Sequence, residues 1–170
     1  MQHYSHFFIK ISMYSRQKAI EYAYEFWNKR NPKFYNFDSL GGDCTNFVSQ
    51  CVIYGGIKMD YSNNGWYYIS LGKRSPSFSG VNEFFNYATT NTKTVGIKAK
   101  IVTIDKVEIG DIVQMLQKGT TFHHTLLVTK ITGNIANINN IFVTCHTNDT
   151  KDKQLSNYYF KKIRFLKIIS

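Results

Sequence analysis

The hydrophobic period of this chain changes once, near Gly96, and that change limits the folds open to it. Across residues 15–29 the apolar residues Ala19, Ile20, Ala23, Tyr24, Phe26 and Trp27 recur three and four positions apart, which predicts an amphipathic helix capped by Ser15. Asn31-Pro32 should stop it, because the residue before a proline avoids the helical region. Residues 45–54 predict a second helix, ended by Gly55-Gly56, and residues 81–89 a third through Val81, Phe84, Phe85 and Ala88. The stretch 59–79 between them is polar, aromatic and rich in turn residues, so it is expected to be a long ordered loop. Beyond Gly96 the period is two. Strands are predicted over residues 98–104, 111–117, 123–131, 141–146 and 161–169, with turns at Glu108-Ile109-Gly110-Asp111, Thr132-Gly133-Asn134 and Asn139-Asn140. The intervals are too short for helical crossovers, so the sheet should be an antiparallel meander. Helices followed by strands give an α+β domain over residues 14–170, preceded by an extension over residues 1–13.

Composition narrows the partners without choosing one. Lys and Arg number 21 against 11 Asp and Glu, a net charge of +10, which favours a polyanion: nucleic acid, an anionic membrane face or an acidic cell-wall polymer. Three cysteines leave one unpaired in any disulfide scheme, and no CxxC spacing occurs, so free thiols are expected. The extension holds only the apolar run Phe7-Phe8-Ile9, broken by Lys10, with no small-residue cleavage site; it reads as neither a signal peptide nor a membrane span. Action outside the cell would need another route of release. At 170 residues the chain can build its own core, and a monomer is expected.

The segment Gly41-Gly42-Asp43-Cys44-Thr45-Asn46-Phe47-Val48-Ser49-Gln50 places a cysteine on the first turn of a helix, after two glycines that allow a sharp turn and an Asp that can cap free amides. There the helix dipole should draw the Cys44 thiol down from about 8.5 toward neutrality. The alternative is a small buried residue that fills space. A cysteine nucleophile needs an imidazole and a polar group to orient it. His3 and His6 precede the first helix, whereas His123 and His124 open a strand. Alternation puts His124 on the face of Leu126 and Val128, the more apolar one, which should meet the Cys44 helix; His124 is therefore the expected base. Cys145-His146-Thr147-Asn148-Asp149 ends the next strand, so either His146 or Asp149 is expected to orient His124. Neighbouring His123 and His124 point to opposite faces and no HExxH pair occurs, so no metal and no cofactor are expected. Trp66, Tyr67 and Arg74 could line a substrate groove, or the aromatics could simply pack the loop.

Those blocks, together with Tyr14-Ser15-Arg16-Gln17-Lys18-Ala19, Asn28-Lys29-Arg30-Asn31-Pro32-Lys33-Phe34, Gly65-Trp66-Tyr67, Ser75-Pro76-Ser77, Gly110-Asp111-Ile112-Val113-Gln114, His124-Thr125-Leu126 and His146-Thr147-Asn148-Asp149, carry a resemblance. In order, they resemble the bacterial "putative amidase" domain, a papain-like group similar to NlpC/P60 and CHAP cell-wall hydrolases. The resemblance implies a papain-like fold, cleavage of amide bonds in peptidoglycan as an N-acetylmuramoyl-L-alanine amidase or an endopeptidase, Cys44 as nucleophile and His124 as general base. The alternative from another class is a non-catalytic cationic module that binds wall polymer or nucleic acid.

Overall fold

A computed structural model describes residues 13–169. The expected extension, with His3 and His6, therefore lies outside the described residues except for Met13. Helix α1 (Arg16–Phe26) begins where Ser15 Oγ accepts the Lys18 amide at 3.3 Å. It ends before Asn31-Pro32, because the Phe26 carbonyl turns to accept the Lys29 amide and the His146 ring. Helix α2 (Cys44–Tyr54) is buried over most of its length and lies against α1, tied to it by Tyr22 Oη donating to Gln50 Oε1 at 2.6 Å.

The expected loop contains a small hairpin, β1 (Tyr68–Ser70) with β2 (Lys73–Arg74), and a short helix α3 (Pro76–Ser79) before α4 (Val81–Thr90). Pro76 opens α3, where its missing amide costs nothing. Trp66 and Phe78 are wholly buried in the core with α2, and Trp66 Nε1 donates to Ser49 Oγ at 3.2 Å.

Six strands follow: β3 (Ala99–Val102), β4 (Ile112–Leu116), β5 (His124–Ile131), β6 (Ile141–Cys145), β7 (Thr150–Gln154) and β8 (Lys162–Ile168). They form one antiparallel sheet in the order β3-β8-β4-β5-β6-β7. The molecule is a mixed α+β fold. The sheet is not a plain meander, because β8 returns between β3 and β4, pairing Ile112 with Leu166. Strand β7 has no apolar alternation in Thr-Lys-Asp-Lys-Gln; it is a polar edge strand, where charge discourages pairing with another chain.

Both faces of the sheet are covered. Ile112, Leu127 and Leu166 meet Phe47, Val48, Cys51 and Val52 of α2. Val113, Met115, Leu126, Val128, Val143 and Phe165 face the other way and pack with Val107, Ala136 and Leu155. Helix α2 thus sits on the Thr125 and Leu127 face, not the face of Leu126 and Val128 as expected. Apolar alternation could not choose the side, since connecting segments bury the second face as thoroughly as helices bury the first.

Candidate active site

The turn into α2 is shaped by glycine. Gly41 and Gly42 have φ of +97° and +109°, and a Cβ on Gly42 would sit 2.9 Å from Thr147 Oγ1, so a side chain there meets both strain and contact. Asp43 follows at the N-cap position, yet its side chain does not cap the helix. Its buried carboxylate instead accepts from the Phe37 amide (3.0 Å), Asn46 Nδ2 (2.8 Å) and His146 Nδ1 (2.5 Å). The first-turn amides of α2 are left without that cap.

His146 is held from both sides. Its Nε2 lies 2.8 Å from the Phe26 carbonyl and its ring stacks on Phe47 with centroids 3.9 Å apart. Each ring nitrogen faces an acceptor. Arg30 stands beside this pair, with its Nε 3.7 Å from Asp43 Oδ2, and binds Asp38 and Asp149, each through two hydrogen bonds. Neither His146 nor Asp149 touches the His124 ring among the hydrogen bonds of the described residues. The expected orienting contact is absent because each side chain is engaged by the α2 approach instead.

Cys44 is 5% exposed, and its sulfur lies 3.9 Å from Thr45 Oγ1. Burial pushes the thiol up, against the opposing pull of the Thr125 amide and the Thr45 hydroxyl. Loss of water thus moves the thiol opposite to the expected depression. Cys51 and Cys145 are also buried free thiols.

His124 is 7% exposed and points to the other face, where Nε2 lies 3.7 Å from Cys145 Sγ. Burial lowers its pKa to about 4, helped by the like charges of His123 and Lys153, so the ring is neutral near pH 7. Burial pushes the Cys145 thiol up to about 12. Cys145 was assigned no role from sequence; only the pairing of β5 with β6 puts it on the face of His124.

Cys44 and His124 are tied through their neighbours. Thr45 and Thr125, each the next residue, share a hydroxyl hydrogen bond of 2.8 Å, and Gln114 Nε2 donates to Thr125 Oγ1 at 3.2 Å. No hydrogen bond joins the Cys44 sulfur to His124 or His146 among the described residues. His124 borders a polar cleft of about 160 Å³, walled by Thr147, Asn148, Lys153, Asn157 and Tyr158.

The aromatic loop packs on α2 and on the segment around Phe37. Trp66 is a core residue and cannot line a groove. The Tyr67 ring packs near Tyr61, and Arg74 is spent on Leu71, Ser79 and the Phe37 ring. No helix among the described residues is long and apolar enough to cross a membrane.

Comparison with known proteins places this arrangement. The chain is 34% identical over 133 residues to the uncharacterized protein YhbB of Bacillus subtilis (strain 168), a stretch that covers 74% of this chain and 40% of that protein's length. No solved structure matches the chain. The family described as "Putative amidase domain" matches residues 13–169, almost the whole chain, and the chain belongs to that family.

Proposed function

We propose that this chain is a cysteine-dependent hydrolase of the papain-like kind, which cleaves an amide bond of peptidoglycan with Cys44 as nucleophile and His124 as general base. The observation that carries this reading is the Thr45–Thr125 hydroxyl bond, which sets the start of α2, where Cys44 stands, against the start of β5, where His124 stands. A helix-start cysteine set against an antiparallel sheet supports the papain-like assignment.

The resting pair is a buried neutral thiol and a neutral imidazole. In that state proton transfer is uphill, so reaction requires the sulfur and the ring to move into contact when substrate enters. His124 then takes the thiol proton and the thiolate attacks the amide carbonyl. The uncapped amides at the start of α2 donate hydrogen bonds to the developing oxyanion. The imidazolium passes its proton to the leaving amine, the C–N bond breaks, and the same ring activates the water that opens the thioester. His146 acts as a positioning residue: it holds Asp43, which holds the turn from which Cys44 projects.

Mass spectrometry of purified peptidoglycan fragments tests this directly. Wild type should release new amino termini and Cys44→Ser none. New N-terminal alanine marks a muramoyl amidase, and new termini within the stem mark an endopeptidase. Identical spectra for the two proteins overturn the reading and leave a non-catalytic cationic module.

A further inference from the structure

The cleft beside His124 carries a charge that hydrolysis alone leaves unused. Lys153 enters it from β7, half-buried, with its ammonium 4.2 Å from the centre of the Tyr158 ring, which holds the cation in place. No carboxylate pairs with it among the described residues. Asp149 is taken up by Arg30, and Asp152 accepts from Tyr24 and Thr129. No Asp or Glu lines the cleft; Thr147, Asn148 and Asn157 offer neutral polar groups. A fixed cation without a counter-charge, walled by neutral polar groups, is the complement of an anion. At about 160 Å³ the cleft is smaller than the roughly 300–1,000 Å³ of pockets for drug-sized ligands, so it suits one small residue and not a sugar chain.

We propose that Lys153 is a specificity-determining residue that binds a carboxylate on the leaving-amine side of the scissile amide. The inference rests on the Cys44–His124 reading for its direction. His124 must give its proton to the leaving amine, so the part of the substrate that carries this amine lies on the imidazole's side, at the cleft.

The experiment compares two probes, muramoyl-L-alanyl-γ-D-glutamyl-L-lysinamide and the same compound with its glutamyl α-carboxylate amidated. Wild type should favour the carboxylate probe by about tenfold or more in kcat/KM, as befits a hydrogen bond to a charged group. Lys153→Gln should bring that ratio close to one, and Lys153→Arg should keep it. A merely structural lysine would lower both rates together and leave the ratio standing, and that result overturns the proposal, as does a wild-type ratio near one. Calorimetric binding of both probes to Cys44→Ala separates the two readings. Preference for the carboxylate probe, lost on adding Lys153→Gln, supports the site even if wild type cleaves neither probe; cleavage of both probes at equal rates retains the hydrolase and removes the site.

Discussion

Two histidines stand where β5 begins and β6 ends, on opposite faces of one sheet, and their surroundings differ in kind. His146 has an acceptor at each ring nitrogen, a phenyl ring stacked on it and 1% exposure. Among the described residues His124 hydrogen-bonds to a thiol through Nε2, lies beside the Tyr158 ring and borders a cleft. A side chain whose hydrogen-bonding capacity is filled by the fold has none left for a substrate, whereas an under-bonded one at a cleft can still exchange a proton. The first therefore fixes where α2 begins, and the second keeps hydrogen-bonding capacity at the cleft.

Replacing each histidine in turn should break that comparison in opposite directions. His124→Gln should lower kcat/KM for amide hydrolysis by about 10³- to 10⁴-fold, roughly 4–5 kcal/mol of barrier, with unfolding midpoints in urea at pH 7 close to wild type. His146→Ala should act on the fold. It strips the buried Asp43 carboxylate of its closest partner and opens space against Phe47, for a loss of about 3–4 kcal/mol; Arg30 at 3.7 Å keeps the loss from being larger. Chemical denaturation measures it. A stable His146→Ala protein with no activity would instead assign His146 to the chemistry.

The sequence makes the elements readable and the contacts between them much less so. The change of period near Gly96 finds α1, α2, α4 and five of the six sheet strands, because each buries a repeating apolar face, whereas the short α3 falls inside the expected loop. It misses β7, an edge strand whose polar residues carry no apolar period. The glycine pair before Cys44 locates the helix start, since Gly41 and Gly42 need positive φ. What Asp43 does there is not local. Its partners Phe37, Asn46 and His146 outcompete the amides it was expected to cap, and His146 is brought to it only by the sheet. Thiol burial is equally a tertiary property, and it pushes the Cys44 thiol up where the helix start alone predicts a fall. On its sequence Trp66 could line a groove or pack the loop, and in the fold it is a core residue beside Phe78, because an aromatic ring satisfies either role until its neighbours are known.

The low pKa of His124 sharpens the comparison through pH. In the unfolded chain the ring takes a proton near 6.5, and in the fold only near 4. Between those values the unfolded state binds more protons, so stability falls as pH falls. The contribution is complete above pH 6.5 and lost by the time pH has passed through 4, amounting to about 3 kcal/mol at 1.36 kcal/mol per unit. Denaturation of wild type and His124→Gln from pH 7 to pH 4 should show wild type losing that much more than the variant. Parallel curves would mean that His124 is better hydrated than its burial implies.

The smallest expected effect concerns the hydroxyl bond that sets the start of α2 against the start of β5. Thr45 and Thr125 share one hydroxyl bond, and Thr125 also receives Gln114. In Thr45→Val the side-chain shape is kept and the bond is lost, which leaves the buried Thr125 hydroxyl with Gln114 alone. The stability cost should be about 1 kcal/mol. The effect on kcat/KM should exceed it, because the bond also sets the approach of α2 to β5, and small displacements of reacting groups are expensive in rate. Adding Thr125→Val to Thr45→Val should restore part of the stability, since no unpaired hydroxyl then remains, without restoring the rate. If rate and stability recover together, the pair is packing and nothing more, and the positioning of Cys44 against His124 has to come from the Asp43 turn.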